Sequence, residues 1–283
     1  MEEISIPSKI KVRSPVVAGL FYPDDKNCLE ARLRSLGIEC GGDAAAIIAP
    51  HGAWEFSGHI AGSAFLSASG RTRKRKDGKG ISRVVLLGTI HTHPEEQIFL
   101  SDSSFFETPL GNLPVDLETE EELASCSTLF EINDIPHLRE HSLEVLLPFI
   151  QFCFPDTAIV PILMGSSRIS LVSALARALH IVFEPLMDQV LFVVSSNLSK
   201  NRDENIALIQ ARECIRLLEE NETGKFVSGM YDGRISACGA SLIAALLESG
   251  ILNNREVRLL TEPMGKAYED GGQTVYYGGV SFT

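Results

Sequence analysis

The stretch "AAAIIAPHGAWEFSGHIAGSAF", residues 44–65, decides the fold class, because an apolar run passes through a histidine into a helical pattern. Residues 44–49 are typical of a buried strand, Pro50 ends it, and a helix is predicted over 54–67. Between them, His51 lies at the carboxyl end of the strand, where open α/β sheets have their binding crevices. The stretch predicts a strand–turn–helix unit in which His51 either faces a site or simply packs in the turn.

Apolar runs and helical patterns alternate through the rest of the chain. The predicted strands are residues 44–49, 82–88, 157–165 and 189–197, with β-rich segments at 256–262 and 274–282. The predicted helices are residues 54–67, 116–130, 140–154 with a kink near Pro148, 169–183, 202–220, and 235–250 with Gly250 after its last turn. Residues 98–115 are predicted to be an inserted loop or hairpin. Such alternation predicts an α/β three-layer sandwich with a mixed, largely parallel central sheet.

The composition is that of an ordinary globular protein. The chain has 283 residues, of which 45% are hydrophobic and 22% are charged, so it can bury a sizeable core. We find no low-complexity linker, internal repeat or shift of composition between the halves. We therefore expect a single domain over residues 1–283.

The charge and hydropathy of the chain limit its partners. A net charge of −12 disfavours binding to a nucleic-acid backbone. The basic run at 71–80 is expected to be a solvated loop, with contact to phosphate or an acidic partner as the alternative. No apolar run approaches the ~20 residues that cross a bilayer, and the first ten residues lack a secretory apolar region. We expect a cytoplasmic protein without a membrane or nucleic-acid partner.

Reactive side chains follow three of the predicted strands. His51 follows the first strand, His91 and His93 follow the second, and the sequence "SSNLSK", residues 195–200, follows the third. If these strands are parallel, their carboxyl ends meet at one edge of the sheet. Two imidazoles that meet there would suit a divalent transition metal. A histidine after a strand is not a specific motif, so the pattern alone leaves the metal-binding and structural interpretations open.

Four ordered motifs resemble those of the Memo family. They are "APHGAWEFSG" at 49–58, "LGTIHTH" at 87–93, "EHSLEVLLPF" at 140–149 and "CGASLI" at 238–243. The resemblance extends over most of the chain, from "RSPVVAGLFYP" at 13–23 to "VYYGGVSF" near the end. The first motif departs from the family pattern by inverting its small pair to Gly52-Ala53 and by placing Trp54 where the family has tyrosine.

The resemblance implies a fold similar to the catalytic subunits of class III extradiol dioxygenases, which hold non-haem Fe(II) with two histidines and a carboxylate. Members of the Memo family instead have two histidines and a cysteine in the pocket, and these positions match His51, His91 and Cys238. The implied cofactor is a divalent metal, with iron first and copper or zinc as alternatives, and no organic cofactor is expected. His93 would be an outer partner or merely exposed.

The chain departs from the family pattern after the third strand. Where the family has S-S-D-F-x-H, this chain has Asn197 in place of the aspartate and Lys200 in place of the histidine. Asparagine cannot act as a base, and lysine at neutral pH donates but does not accept. Both residues remain candidates for the site, although Lys200 could also point to solvent. Proton transfer of the dioxygenase kind is therefore not expected to be retained unchanged.

The motif "EHSLE" offers a further candidate pair. His141 and Glu144 are three residues apart and would share one face of a helix. They could supply a base, or a carboxylate behind a metal-bound histidine. Ser142 and Glu144 could equally cap and charge the start of the helix. His137, in the preceding loop, has no expected role.

Several functional hypotheses follow for the ligand set His51, His91 and Cys238. The first is a metal-dependent, dioxygenase-like oxidoreductase. The second is a catalytically degenerate member that binds or scaffolds. A third uses Cys238 as a nucleophile without metal, with His51 or His91 as its base. A peptide- or phosphate-binding adaptor would use Lys200 and the basic run. The partner is expected to be a small molecule or peptide, and the sequence leaves the oligomeric state open.

Overall fold

The computed structural model describes residues 10–37, 41–72, 80–92, 94–268 and 272–283. The strands are Val12–Arg13 (β1), Ala46–Ala49 (β2), Arg83–Thr89 (β3), Ile98–Leu100 (β4), Phe105–Thr108 (β5), Gly111–Pro114 (β6), Phe130–Ile132 (β7), Ala158–Met164 (β8), Val190–Ser195 (β9), Ser199–Asn201 (β10), Val257–Leu259 (β11), Met264–Tyr268 (β12), Gln273–Tyr277 (β13) and Val280–Phe282 (β14). The α-helices are Lys26–Ser35 (α1), Trp54–Leu66 (α2), Leu117–Ser125 (α3), Leu147–Cys153 (α4), Ile169–Phe183 (α5), Glu204–Glu219 (α6), Thr223–Asp232 (α7) and Ala240–Glu248 (α8). Short 3₁₀ turns are Ser69–Thr72, Glu144–Leu146 and Glu184–Leu186.

An eight-stranded sheet forms the centre of the fold. Its strand order is β11-β14-β2-β9-β3-β8-β4-β7. Strands β2, β9, β3 and β8 are parallel to one another, and β4 and β7 are parallel to each other. The pairings of β14 with β11 and β2, and of β4 with β8, are antiparallel. The prediction of a mixed, largely parallel sheet is confirmed.

Helices cover both faces of this sheet, because its central strands are apolar on both sides. On β3, Val84 and Leu86 face one core together with residues of α1, α2 and α4. Val85 and Leu87, which alternate with them, face a second core together with residues of α3, α5, α6, α7 and α8. The period of two along the strand thus divides the core into two layers of packing. The three-layer α/β architecture is the one that the sequence predicts.

The predicted helix over 140–154 is shorter than expected, and the predicted kink at Pro148 is wrong. The α-helix begins at Leu147, after a 3₁₀ turn, and Pro148 lies in its first turn. Proline is tolerated there, because the first N–H groups of a helix have no partner within it. Residues 141–143 stay outside the helix. The backbone N–H groups of His141 and Ser142 donate to the carboxylate of Glu140 instead.

Other element boundaries differ from prediction in the last third of the chain. Helix α8 begins at Ala240, so residues 235–239 are not helical. Gly250 follows that helix with φ of 75°, which confirms its predicted place after the last turn. Helix α7 and strand β12 were not predicted. Within residues 98–115, β4 joins the central sheet, while β5 and β6 form the expected hairpin.

Helix α5 and the 3₁₀ turn after it contradict the expectation that no apolar run approaches the length of a membrane span. The run Ile169–Leu186 has 18 residues and a mean hydropathy of 1.5, which meets the length and composition of a membrane span. Half of that run is buried inside the fold. An amphipathic helix that packs one apolar face on a sheet accounts for such a run without a bilayer.

A small antiparallel sheet stands beside the central one. Its order is β10-β13-β12, and Lys200 of β10 pairs with Val275 of β13. Strand β10 follows β9 after a few residues, so this small sheet lies close to the edge where the central strands end. It supplies one wall of the site described next.

Candidate metal centre

Three adjacent parallel strands place the candidate side chains at one edge of the sheet. Strands β2, β9 and β3 are neighbours, and their carboxyl ends lead into His51, Asn197 and His91 respectively. Cys238 enters from the turn before α8. A side chain at Gly239 would place its Cβ 2.7 Å from Cβ of Ser196, so glycine allows this turn to pack against the end of β9. Parallel topology thus produces the convergence that the sequence predicts.

His51, His91 and Cys238 form a group that could hold a metal ion. One nitrogen from each ring and the sulfur all lie within 4.8 Å of one another. Sγ of Cys238 is 3.3 Å from Nε2 of His51, and the two imidazole centroids are 5.0 Å apart. Bonds to a shared ion are about 2.0 to 2.3 Å long, so their donor atoms lie at most about 4.4 Å apart. The three donor atoms would therefore need to move little or not at all to bind one ion.

The hydrogen bonds around His51 fix which ring nitrogen faces the cluster. Oγ of Ser195 donates its single proton to the carbonyl of Ser142. The same oxygen is 2.8 Å from Nδ1 of His51, so it must accept there, and Nδ1 carries the proton. Nε2 is then the nitrogen that points to Cys238, and a metal would take the place of any proton held between them. A neutral imidazole with a free lone pair is the form that binds a metal.

Glu140 performs the corresponding function for His91. Its Oε1 is 3.0 Å from Nδ1 of His91, and its Oε2 accepts from the backbone N–H of the same residue at 2.7 Å. The N–H groups of His141 and Ser142 also donate to Oε1. A carboxylate on one ring nitrogen orients a metal-binding histidine and raises the basicity of the other. Nε2 of His91 is thereby left for the cluster.

The electrostatics of the cluster favour a thiolate. Burial disfavours ionisation of Cys238, but the charge of His51 and hydrogen bonds from both imidazoles and the N–H of Asn197 lower its pKa well below the ordinary value. Burial lowers the pKa of His91, yet bonds to Cys238 and Glu140 outweigh it and raise that pKa to about 9. Likewise, burial opposes ionisation of Glu140, but His91 lowers the carboxyl pKa to about 2. Thiolate, imidazoles and carboxylate form one coupled set.

His141 is a third imidazole at the same site. Its ring stacks on that of His91 with centroids 4.9 Å apart, and it lies 5.7 Å from His51 and 5.1 Å from Phe21. Burial and the charge of His51 lower the pKa of His141 to about 4. His141, His91 and Glu140 also form a second group with metal-ligand spacing. The candidate role of His141 at the site is thus compatible with its position.

Glu144 does not join this cluster. Its carboxylate pairs with the guanidinium of Arg13 at 2.5 Å and accepts from the N–H groups of Val16 and Val17 and the hydroxyl of Tyr22. The expectation that it shares a helix face with His141 is wrong, because residues 141–143 are not helical. Glu144 instead ties the amino-terminal segment to the core.

The donor cluster opens into a cleft of about 560 Å³. Asn197 and Lys200 both line it. Asn197 also contributes to the cluster directly: its Oδ1 accepts from the backbone N–H of His51 at 3.3 Å, and its own N–H donates to Sγ of Cys238 at 3.1 Å. The small sheet lines the opposite wall with Ser199, Lys200, Tyr268, Gln273, Val275 and Tyr277. The cleft has the size of a small-molecule site.

Sequence reasoning missed Glu140 and the aromatic wall. Glu140 directly precedes His141 in the quoted motif, so the signal was present but was assigned to Glu144. Tyr277 approaches the turn after β2 so closely that a Cβ on Gly52 would lie 2.8 Å from its hydroxyl. His93 and residues 73–79 of the basic run fall outside the described residues, so neither expectation is tested.

Comparison with known proteins agrees with the motifs. Residues 13–281 match the Memo-like protein family. A MEMO1 family protein from Thermotoga neapolitana is 30% identical over 264 residues, which cover 88% of this chain and 92% of the relative. One from Aeropyrum pernix is 31% identical over 271 residues, with 89% and 92% covered. A crystal structure of uncharacterized protein JW3007 from Escherichia coli K12 is similar in fold, with a TM-score of 0.52 and 11% identity over 84% of this chain and 99% of that one.

Proposed function

This chain belongs to the Memo-like protein family, and we propose that His51, His91 and Cys238 bind one divalent transition-metal ion that serves redox chemistry on a small molecule. Iron is the proposed metal, with copper and zinc as alternatives. The observation that carries the proposal is the grouping of two imidazole nitrogens and one sulfur within 4.8 Å at the base of a cleft.

The donor set fits such an ion chemically. Two neutral imidazoles and a thiolate suit Fe(II), copper and zinc, and poorly suit magnesium or calcium, which prefer oxygen ligands. Ser195 and Glu140 already bond to Nδ1 of the two rings, so Nε2 is the nitrogen that would bind a metal after releasing any proton it holds. Three protein ligands would leave at least one coordination position for another ligand, as in catalytic rather than structural sites.

The residues of the chain contribute charge and orientation around such an ion. A bound iron or copper ion would supply electron transfer and Lewis acidity at this place. Cys238 would compensate part of the charge of a dication, and the backbone N–H of Asn197 donates to its sulfur. His141 is neutral at pH 7 and its ring lines the cleft beside His91, where it can bond to a ligand.

Metal analysis of protein purified without a polyhistidine tag tests the proposal. We expect about one iron, copper or zinc ion per chain, and its loss in a His51→Ala/His91→Ala double variant. His59→Ala is the matched control, because His59 is exposed on α2 and is not part of the cluster. Metal content that is equal in all three proteins, or absent from all after reconstitution, would refute the metal centre.

A metal-free cysteine nucleophile is the second candidate, and the 3.3 Å contact between Sγ of Cys238 and Nε2 of His51 favours it. An imidazole at this distance stabilises a thiolate, as in cysteine-dependent enzymes. Alkylation by iodoacetamide at pH 7 separates the two candidates. Protection of Cys238 by one equivalent of metal supports the metal centre, whereas rapid labelling that metal does not slow supports the nucleophile.

A further inference from the structure

We infer that the cleft binds a small organic carboxylate and that the ammonium of Lys200 binds its carboxylate group. This inference rests on the proposed function, because it names the class of molecule that would lie beside the metal. It concerns a residue at which this chain departs from the family pattern.

The charge of the cleft lining differs from that of the whole chain. The chain has 37 acidic and 25 basic residues and a net charge of −12. None of the described residues that line the cleft is an aspartate or glutamate, and Lys200 is the one lysine or arginine among them. A metal ion would add further positive charge, so the lining is suited to an anion.

The backbone position of Lys200 is fixed, while its ammonium remains available. Strand β10 pairs Lys200 with Val275, and the backbone N–H of Lys200 contacts Oγ of Ser236 at 3.3 Å. Its side chain is exposed on the cleft and makes no ion pair with any described residue. The nearby Lys266, on β12, is different, since its Nζ lies 4.3 Å from the ring centroid of Phe56. Lys200 therefore has a charge that a ligand can use.

The other lining residues favour a small organic ligand that carries one compact anionic group. Phe21, Tyr268 and Tyr277 provide aromatic surface, and the volume of about 560 Å³ suits a molecule of metabolite size. No described arginine lines the cleft. Phosphate sites usually combine several donors, such as arginine forks or the backbone N–H groups of a helix N-terminus, whereas this lining offers one lysine. The lining thus favours an aromatic or similarly planar carboxylate over a phosphate ester.

Ligand-detected ¹⁹F NMR with 4-fluorobenzoate and its neutral analogue 4-fluorobenzamide tests this assignment. A hydrogen bond to a charged partner contributes enough for the carboxylate to bind about tenfold more tightly than the amide. In Lys200→Gln, we expect the ratio of the two Kd values to fall to within about twofold of one. Lys266→Gln removes an equal charge from β12 of the same small sheet. It is expected to keep the ratio of Kd values of the unsubstituted protein.

The ratio makes the test specific, because a variant that merely disturbs the cleft weakens both probes alike. Equal affinity of the natural protein for the two probes, or equal loss of preference in the two lysine variants, would overturn the inference. Each titration is run on metal-free and metal-loaded protein with metal content measured separately. If the metal centre fails but the preference depends on Lys200 in metal-free protein, only the proposed function is lost. If metal binds but the preference does not depend on Lys200, only this inference is lost.

Discussion

Replacing Glu140 by glutamine removes one charge behind the proposed metal site and keeps the shape of the side chain. In the structure, Oε1 accepts from Nδ1 of His91 and from the N–H groups of His141 and Ser142, while Oε2 accepts from the N–H of His91. The glutamine oxygen can accept the three hydrogen bonds that Oε1 accepts in the natural protein. The glutamine NH₂ group then replaces Oε2 and faces the backbone N–H of His91, and two donors cannot bond to each other. The variant loses one hydrogen bond and the negative charge that holds Nδ1 protonated.

The size of the effect follows from those two losses. Removing an outer carboxylate from a metal-bound histidine typically weakens metal binding by about 10- to 100-fold, or ~1.4 to 2.8 kcal/mol. One buried donor without a partner costs a further ~1 to 3 kcal/mol of the free energy of unfolding. We therefore expect Glu140→Gln to raise the metal Kd by one to two orders of magnitude and to leave the protein folded.

Competition with a chromophoric chelator measures the metal Kd, and urea unfolding of the metal-free protein measures the stability. Glu55→Gln is the control, because Glu55 is exposed in the first turn of α2. It removes the same charge from the chain without touching a ligand. A metal Kd in Glu140→Gln within about twofold of that control would show that His91 does not depend on this carboxylate, and the reasoning would fail.

Two further predictions concern two buried residues that contact Arg13. Glu144→Gln leaves the buried guanidinium of Arg13 without its counter-charge, so the free energy of unfolding in urea should fall by ~3 to 5 kcal/mol while the metal Kd stays within about threefold; a loss under 1 kcal/mol would contradict this. Burial lowers the pKa of His137 from 6.5 to about 4. Below pH 6.5 the unfolded chain therefore binds a proton that the folded chain does not take up until about pH 4, and stability should fall by ~3 kcal/mol across this window. His137→Leu should lose that part of the pH dependence, and an unchanged profile would refute the assignment.

The fold could be predicted because its signals are local and repeated. The continuous apolar run at residues 84–88 predicts the strand Arg83–Thr89, and the spacing of apolar residues over 169–183 predicts the helix Ile169–Phe183 with the same bounds. The convergence of His51 and His91 also follows, since it needs only parallel strands whose ends share one edge. The small sheet was harder to predict from the sequence, because β10 and β12 are short and depend on pairing with β13 rather than on a pattern of their own.

The details around the ligands were beyond sequence reasoning for a different reason. The choice between Glu140 and Glu144 depends on where a helix begins, and both carboxylates precede the same apolar run. Helical spacing favoured Glu144, but the N–H groups of residues 141 and 142 are already bonded to Glu140 and do not enter a helix. The partner of Glu144, Arg13, lies 131 residues away in the chain. A contact of that separation leaves no periodic trace in the sequence.

Asn197 and Lys200, the two departures from the family pattern after the third predicted strand, change the charge of the cleft without changing its candidate metal ligands. Asn197 bonds to the backbone of His51 and to the sulfur of Cys238 through an amide oxygen and an N–H group, neither of which requires a charge. Where the pattern has aspartate and histidine, this chain therefore loses one negative charge and gains one positive charge. A general base is lost from the cleft, yet the three donor atoms stay within reach of one ion. The substitutions thus act on what the cleft attracts, and they favour an anion beside the candidate ligands His51, His91 and Cys238.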